Sequence, residues 1–240
     1  MPEISVIIRA KNEEAAIGKT LESLSSQQSS LPFEVIVVDS GSTDRTVSIA
    51  ESFNVRLLRM PPDIFSYGRA LNRAISEARG CILCNLSAHC IPVTGRWLET
   101  LTAPIVQGAA QASFGRQVAI QGLNPWEEFY LEALFPPGDL CEGRVPFSNA
   151  NCAFSREMWE EQKFDEELPR WEDYLWYLLA KNRYDFFYVP GASVRHSHPF
   201  SAQWIETMSF KDGRAAALIA KKYGIDIHGG KTSSILSKID

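Results

Sequence analysis

Four short apolar runs constrain this chain most strongly. They are Ile4-Ser5-Val6-Ile7-Ile8, Glu34-Val35-Ile36-Val37-Val38, Val55-Arg56-Leu57-Leu58 and Cys81-Ile82-Leu83-Cys84-Asn85-Leu86. Such continuous runs, too short for a helix, mark strands buried on both faces. Helical patterns separate them. Ile17, Leu21 and Leu24 share one face, and a helix from Tyr67 to Arg79 turns Leu71, Ile75 and Ala78 inward before Gly80 stops it. Strands alternating with helices at this pitch give right-handed βαβ units and a parallel sheet. Ligands of such sheets bind beyond the carboxyl ends of the strands. Three polar segments therefore converge there: residues 10–13, 39–44 and 87–92. Neither a dinucleotide fingerprint nor a P-loop occurs in them.

The second half is less regular. It reads as a helix over 97–106, a strand over 112–118, an aromatic helix over 125–135 and a polar loop entering a strand at 147–154. A helix follows over 171–182, then short strands at 186–189 and 192–196. Ser201 caps a last helix running to Tyr223, interrupted near Gly213. Apolar residues make up 45% of the 240 positions, which excludes intrinsic disorder. A net charge of −5 argues against nucleic-acid binding through a broad basic surface. The five cysteines, without a leader peptide, predict free core thiols in a reducing compartment. No run is long enough to span a membrane. The expected location is cytoplasmic, with peripheral docking on the inner membrane face as an option through Trp204, Ile205, Met208 and Phe210.

Several motifs together carry a resemblance. They are Ser5-Val6-Ile7-Ile8-Arg9-Ala10-Lys11-Asn12-Glu13, Glu34 to Val38 running into Asp39-Ser40-Gly41-Ser42-Thr43-Asp44-Arg45-Thr46, Gly68 to Asn72, Leu86-Ser87-Ala88-His89-Cys90-Ile91-Pro92 and Trp171-Glu172-Asp173. In order and spacing the chain resembles family 2 glycosyltransferases of the GT-A fold. Gly115-Arg116-Gln117 and His196-Ser197-His198 lean toward the rhamnosyltransferase-like branch. The fold this implies is α/β, with a mainly parallel central sheet flanked by helices and a Rossmann-like first half. One domain over 1–228 is expected, with a nucleotide-binding half to 92, an acceptor-binding half from 93, and a polar tail over 229–240.

The resemblance implies an inverting enzyme that adds one sugar, from a nucleotide-diphosphate donor, to a glycan or lipid-linked hydroxyl in polysaccharide or lipopolysaccharide biosynthesis. Ala10, Asn12, Glu13, Asp39, Ser42, Asn72, Ser87 and Ala88 would line the donor pocket. Asp39 would accept from the ring N–H of uracil or thymine, which favours UDP- or dTDP-sugars over GDP-sugars; the plainer reading is that Asp39 caps the next helix. Asp173 is the expected base and Glu172 an acceptor-orienting group at a helix N-terminus, where an ionised carboxylate is favoured. Trp171, Arg116, Gln117 and Asn149 are expected on the acceptor side.

The chain departs from the family at the diphosphate station. Ser87-Ala88-His89 stands where the family has Asp-x-Asp, so both carboxylates are missing. His89, His196 and His198 become the candidate ligands for a divalent metal. Imidazole suits Mn²⁺ better than Mg²⁺. The plainer reading is a His89 at the surface with no ligand role, and a strand pair, His196 and His198, satisfied by local carbonyls. Leu71-Asn72 replaces the family's Arg-Asn, and Ala74 its glycine. These losses keep open a second reading, a weakened relative that binds nucleotide or glycan as an assembly partner.

Overall fold

The computed structural model describes residues 1–120, 122, 124–138, 146–198 and 201–227. The expected tail, His228 and Cys141 lie outside the described residues. The first half alternates as expected: β1 (Ile4–Ala10), α1 (Ile17–Ser25), β2 (Phe33–Asp39), α2 (Thr46–Glu51), β3 (Arg56–Arg59), α3 (Tyr67–Glu77) and β4 (Ile82–Ser87). Then come β5 (Ile91–Pro92), α4 (Trp97–Val106), β6 (Ala112–Val118), α5 (Pro125–Leu134), β7 (Asn151–Ser155), α6 (Arg156–Glu161), α7 (Glu172–Ala180), β8 (Phe186–Arg195) and α8 (Ala202–Tyr223).

One eight-stranded sheet runs in the order β3-β2-β1-β4-β7-β6-β8-β5. Pairings are parallel from β3 to β4, antiparallel around β7, and parallel again between β6 and β8. Apolar side chains leave the pleat on both faces. Ile7, Ile36, Val38 and Leu83 pack with Leu71 and Ile75 of α3 and with Phe154 and Trp176. Val6, Ile8 and Val37 pack on the opposite face with Leu21 and Leu24 of α1 and with Trp97 and Leu101 of α4. The result is a helix–sheet–helix sandwich whose strand ends open on one edge.

Three sequence expectations change. The two short strands expected near the end are one strand, β8, which stays paired with β6 across a register shift between Gly115 and Gln117. The last helix is not interrupted at Gly213. A glycine costs a helix about 1 kcal/mol, and α8 anchors its far half by burying Ala215, Ala216 and Ile219. Cys81 is exposed ahead of β4 rather than in the core, whereas Cys84 is buried.

Gly115 sits where β6 and β8 come close together. A Cβ there would lie 2.0 Å from the Ala192 carbonyl oxygen and 2.4 Å from Asn151 Nδ2. We expect Gly115→Ala to cost about 3 kcal/mol. In a chain of this size that lowers the thermal midpoint by roughly 6–12 °C; an unchanged melting curve contradicts this packing.

Candidate functional site

The loop after β1 and the loop after β2 are tied to each other. Asn12 donates from its backbone N–H to Ser42 Oγ at 2.9 Å, and its side-chain carbonyl accepts from the Thr43 N–H at 2.8 Å. The Glu13 N–H reaches Thr46 Oγ1 at 2.7 Å. Asn12 takes a positive φ of 55°, which asparagine tolerates better than most residues. Asp39 ends β2 almost fully buried, and its carboxylate accepts from the backbone N–H groups of Gly41 and Ser42. It therefore shapes the loop rather than capping α2, whose Thr46 N–H is taken by Asp44. The Ala10 carbonyl is engaged by Ser40.

Beyond β4 the chain alternates. Ser87 and His89 are half-buried on one side, while Ala88 and Cys90 are buried on the other. Ala88 packs in the core, and its carbonyl accepts from Thr20 Oγ1 at 2.8 Å. The structure gives the Ala88 side chain a packing role.

His89, His196 and His198 come together, with ligand-capable atoms all within 4.8 Å of one another. Strand pairing makes this meeting: Ile91 stands opposite Arg195 where β5 joins β8. The His89 and His196 rings stack with centroids 5.0 Å apart, and their Nε2 atoms lie 3.1 Å apart. Glu13 Oε1 contacts His89 Nδ1 at 2.9 Å, and Gln117 Oε1 contacts His196 Nδ1 at 2.6 Å. His198 stacks on Trp204, and its backbone N–H donates to the buried Glu127 at 2.7 Å. Burial, reinforced by His198 and His89, holds His196 well below the usual histidine range. Burial also lowers His198, to about 4. Both are neutral imidazoles at neutral pH, each with one ring nitrogen carrying a lone pair.

The acidic pair stands at the start of α7. The preceding Trp171 is left-handed at φ 65°, a strained conformation for a bulky side chain. Its ring packs beside Leu168, Leu175 and Ile219. Glu172 points inward and is 5% exposed, whereas Asp173 is half-exposed. Burial raises Glu172 above its usual range, Asp173 adds to this, and the Arg9 guanidinium opposes it. Arg9 reaches from the end of β1 to within 3.8 Å of Glu172 and lies over the Tyr67 ring at 4.6 Å. Asn149 secures both acids: its backbone N–H donates to Asp173 at 3.1 Å and its amide to Glu172 at 3.4 Å. Asn85 of β4 in turn donates to the Asn149 carbonyl at 2.9 Å.

Several candidates are placed elsewhere than the sequence suggested. Asn72 is not in the group: its amide bonds Phe164 O and Glu166, and its carbonyl accepts from Trp159 Nε1 and the Phe164 N–H. All its hydrogen-bonding capacity is used in joining α3 to α6 and the segment after it. Arg116 donates to the Phe135 carbonyl at the end of α5. Gln117 faces His196, and Asn149 faces the acidic pair. Arg9, Asn85 and Glu127 were not singled out in the sequence. Only Arg9, closing a buried strand at its carboxyl end, carried a local signal.

Residues 5–162 match the family described as Glycosyl transferase family 2. The chain is 24% identical over 225 residues to the O-antigen chain rhamnosyltransferase WbaN of Salmonella anatum, covering 84% of this chain and 68% of that one. It is 38% identical over 105 residues to the glycosyltransferase AglE of Haloferax volcanii, which is 41% of this chain and 34% of that one. Among solved structures, glucosyl-3-phosphoglycerate synthase from Mycobacterium tuberculosis, in complex with Mn²⁺, UDP-glucose and phosphoglyceric acid, superposes with a TM-score of 0.71 at 24% identity. That match covers 95% of this chain and 82% of the other, and it concerns the fold. The mannosyltransferase PcManGT from Pyrobaculum calidifontis, with GDP-mannose and Mn²⁺, gives 0.67 at 20% identity over 92% of this chain and 65% of that one. The expected GT-A architecture is thus present, and the match from β1 through α6 makes this chain a member of glycosyl transferase family 2.

Proposed function

We propose that the protein is an inverting glycosyltransferase adding a single rhamnosyl or hexosyl unit, from a UDP- or dTDP-sugar, to a hydroxyl of a glycan or lipid-linked acceptor. Polysaccharide or lipopolysaccharide assembly is the setting that the rhamnosyltransferase relatives favour. One observation carries the reading: two contacts reach out from the carboxyl end of β1 and the loop that follows it. Glu13 meets the histidine group, and Arg9 meets the acidic start of α7. A donor seated over that loop therefore has its nucleotide near Asp39, its diphosphate near the histidines and its sugar toward Asp173.

Asp39 receives the ring N–H of the base, and Asn12 and Ser42 shape the loop around the ribose. Asp173 takes the proton of the acceptor hydroxyl as that oxygen attacks the anomeric carbon from the face opposite the diphosphate. Glu172, held by Arg9 and Asn149, fixes the entry of α7 and with it the direction of Asp173. His89, His196 and His198 would hold a divalent ion, and their convergent ring nitrogens fit a transition metal better than Mg²⁺. Bound there, the ion supplies positive charge to the departing diphosphate.

The test is release of nucleoside diphosphate from a panel of UDP-, dTDP- and GDP-sugars, with Mn²⁺ and with EDTA. Turnover is expected with a UDP- or dTDP-sugar and Mn²⁺, and should fall at least tenfold in EDTA. Tight binding of donor without any turnover would instead favour a nucleotide-binding assembly partner.

A further inference from the structure

Among the described residues, two non-glycine positions have a left-handed backbone, Asn12 at φ 55° and Trp171 at φ 65°. Asparagine visits that region at little cost, whereas a bulky tryptophan does not. The residue just before a helix ordinarily has an extended backbone and a side chain that caps the first turn. Trp171 has neither. Such conformations persist where the surroundings over-determine them, and they gather at functional sites. Here the surroundings are identifiable. The Trp171 ring packs beside Leu168, Leu175 and Ile219, all three almost without exposure. Ile219 belongs to α8, which also holds the neighbouring Arg170, whose Nε lies 3.3 Å from Asp212 Oδ1. The next two side chains then part. Glu172 goes inward to Arg9 and the Asn149 side-chain amide, while Asp173 stays half-exposed with its carboxylate on the Asn149 backbone N–H. Relaxing the left-handed step to an extended or right-handed one would rotate the first turn of α7 away from Asn149.

We propose that Trp171 is a positioning residue: α7 and α8 grip its ring, the grip keeps its backbone left-handed, and that turn aims the Asp173 carboxylate. The functional weight of the aim rests on the reading of Asp173 as the base. The last helix thereby acts on the site from behind, through Trp171 and Arg170, rather than by lining it.

The experiment compares Trp171→Gly, Trp171→Asn and Trp171→Ala in the full chain. All three remove the ring. They differ in tolerance of a left-handed backbone, which is high for glycine, intermediate for asparagine and low for alanine. Transfer by the alanine variant should fall roughly 100-fold, the cost of a small misplacement of a reacting group, with donor affinity within a few-fold of wild type. The glycine variant should exceed the alanine variant roughly fivefold, with the asparagine variant between them. A role in packing alone predicts the reverse, since alanine keeps more apolar contact and is the better residue in a helix. Hydrogen exchange of the Asn149 backbone N–H, whose acceptor is Asp173, reads the aim without any activity, and its protection should fall in the order glycine, asparagine, alanine. An alanine variant that melts below the glycine variant expresses the same ranking in stability and supports the proposal. Equal Asn149 protection in all three variants, or an alanine variant that matches or exceeds the glycine variant in protection and transfer, overturns it. Graded protection with transfer unchanged supports the aim and sinks Asp173 as base. Graded protection with no transfer by the wild type from any donor sinks the transfer reading alone.

Discussion

Asp173→Asn protein is expected to bind its sugar nucleotide as tightly as the wild type and to transfer sugar about 10³-fold more slowly. That loss corresponds to about 4 kcal/mol of transition-state stabilisation. The asparagine amide is nearly isosteric, and its carbonyl still accepts from the Asn149 N–H, so the α7 entry survives. What disappears is the lone pair that receives the acceptor proton. Glu172 does not substitute, because it is buried and committed to Arg9 and Asn149. Single-turnover transfer, with donor affinity measured separately, checks this. Unchanged transfer in the variant removes Asp173 from the base role.

Asn72→Leu tests the opposite kind of residue. Family resemblance put Asn72 against the donor, whereas the structure puts it among Trp159, Phe164 and Glu166. Leucine leaves the indole N–H and both Phe164 backbone groups without their partner, at a cost of about 3 kcal/mol or more. The thermal midpoint should fall by roughly 6–12 °C, while donor affinity of the folded protein stays within a few-fold of wild type. The substitution also has a pH signature. The Asn72 hydrogen bond, helped by Arg69, holds Glu166 below its usual range against partial burial. A depressed carboxylate stabilises the fold above its unfolded pKa, and that stability is lost as pH falls through the folded pKa. The stability gap between wild type and variant should therefore narrow on acidification below about pH 4. A gap independent of pH, or loss of donor affinity at full stability, contradicts this role.

The sheet's first half was legible because β1, β2 and β4 are buried on both faces, and their apolar runs declare it. The second half was harder for reasons visible at particular residues. Gly213 reads as a break only until the buried Ala215, Ala216 and Ile219 are seen to hold α8 together. The strands at 186–189 and 192–196 read as two, because Pro190 and Gly191 interrupt the pattern while pairing with β6 continues. The histidines could be found from where they fall in the motif order. Their supports could not, since nothing local to Glu13 or Gln117 reveals that each faces an imidazole 76 or 79 positions away. Asn72's four partners were hidden for the same reason: a buried amide looks, in one dimension, like any other polar residue on a helix.

The β5 strand, Ile91–Pro92, is only two residues long, yet it crosses to the far edge of the sheet to pair with β8. Strand pairing has a period of two, so a slip of one residue would turn neighbouring side chains to the other face. His89 lies two positions before this pairing, and His196 one position after it. The placement of His89 against His196 thus depends on the alignment of one dipeptide as well as on the β6 pairing, where the His196 N–H donates to the Val118 carbonyl. A substitution at Ile91 or Val194, which touches no ligand, is expected to disturb how His89 meets His196.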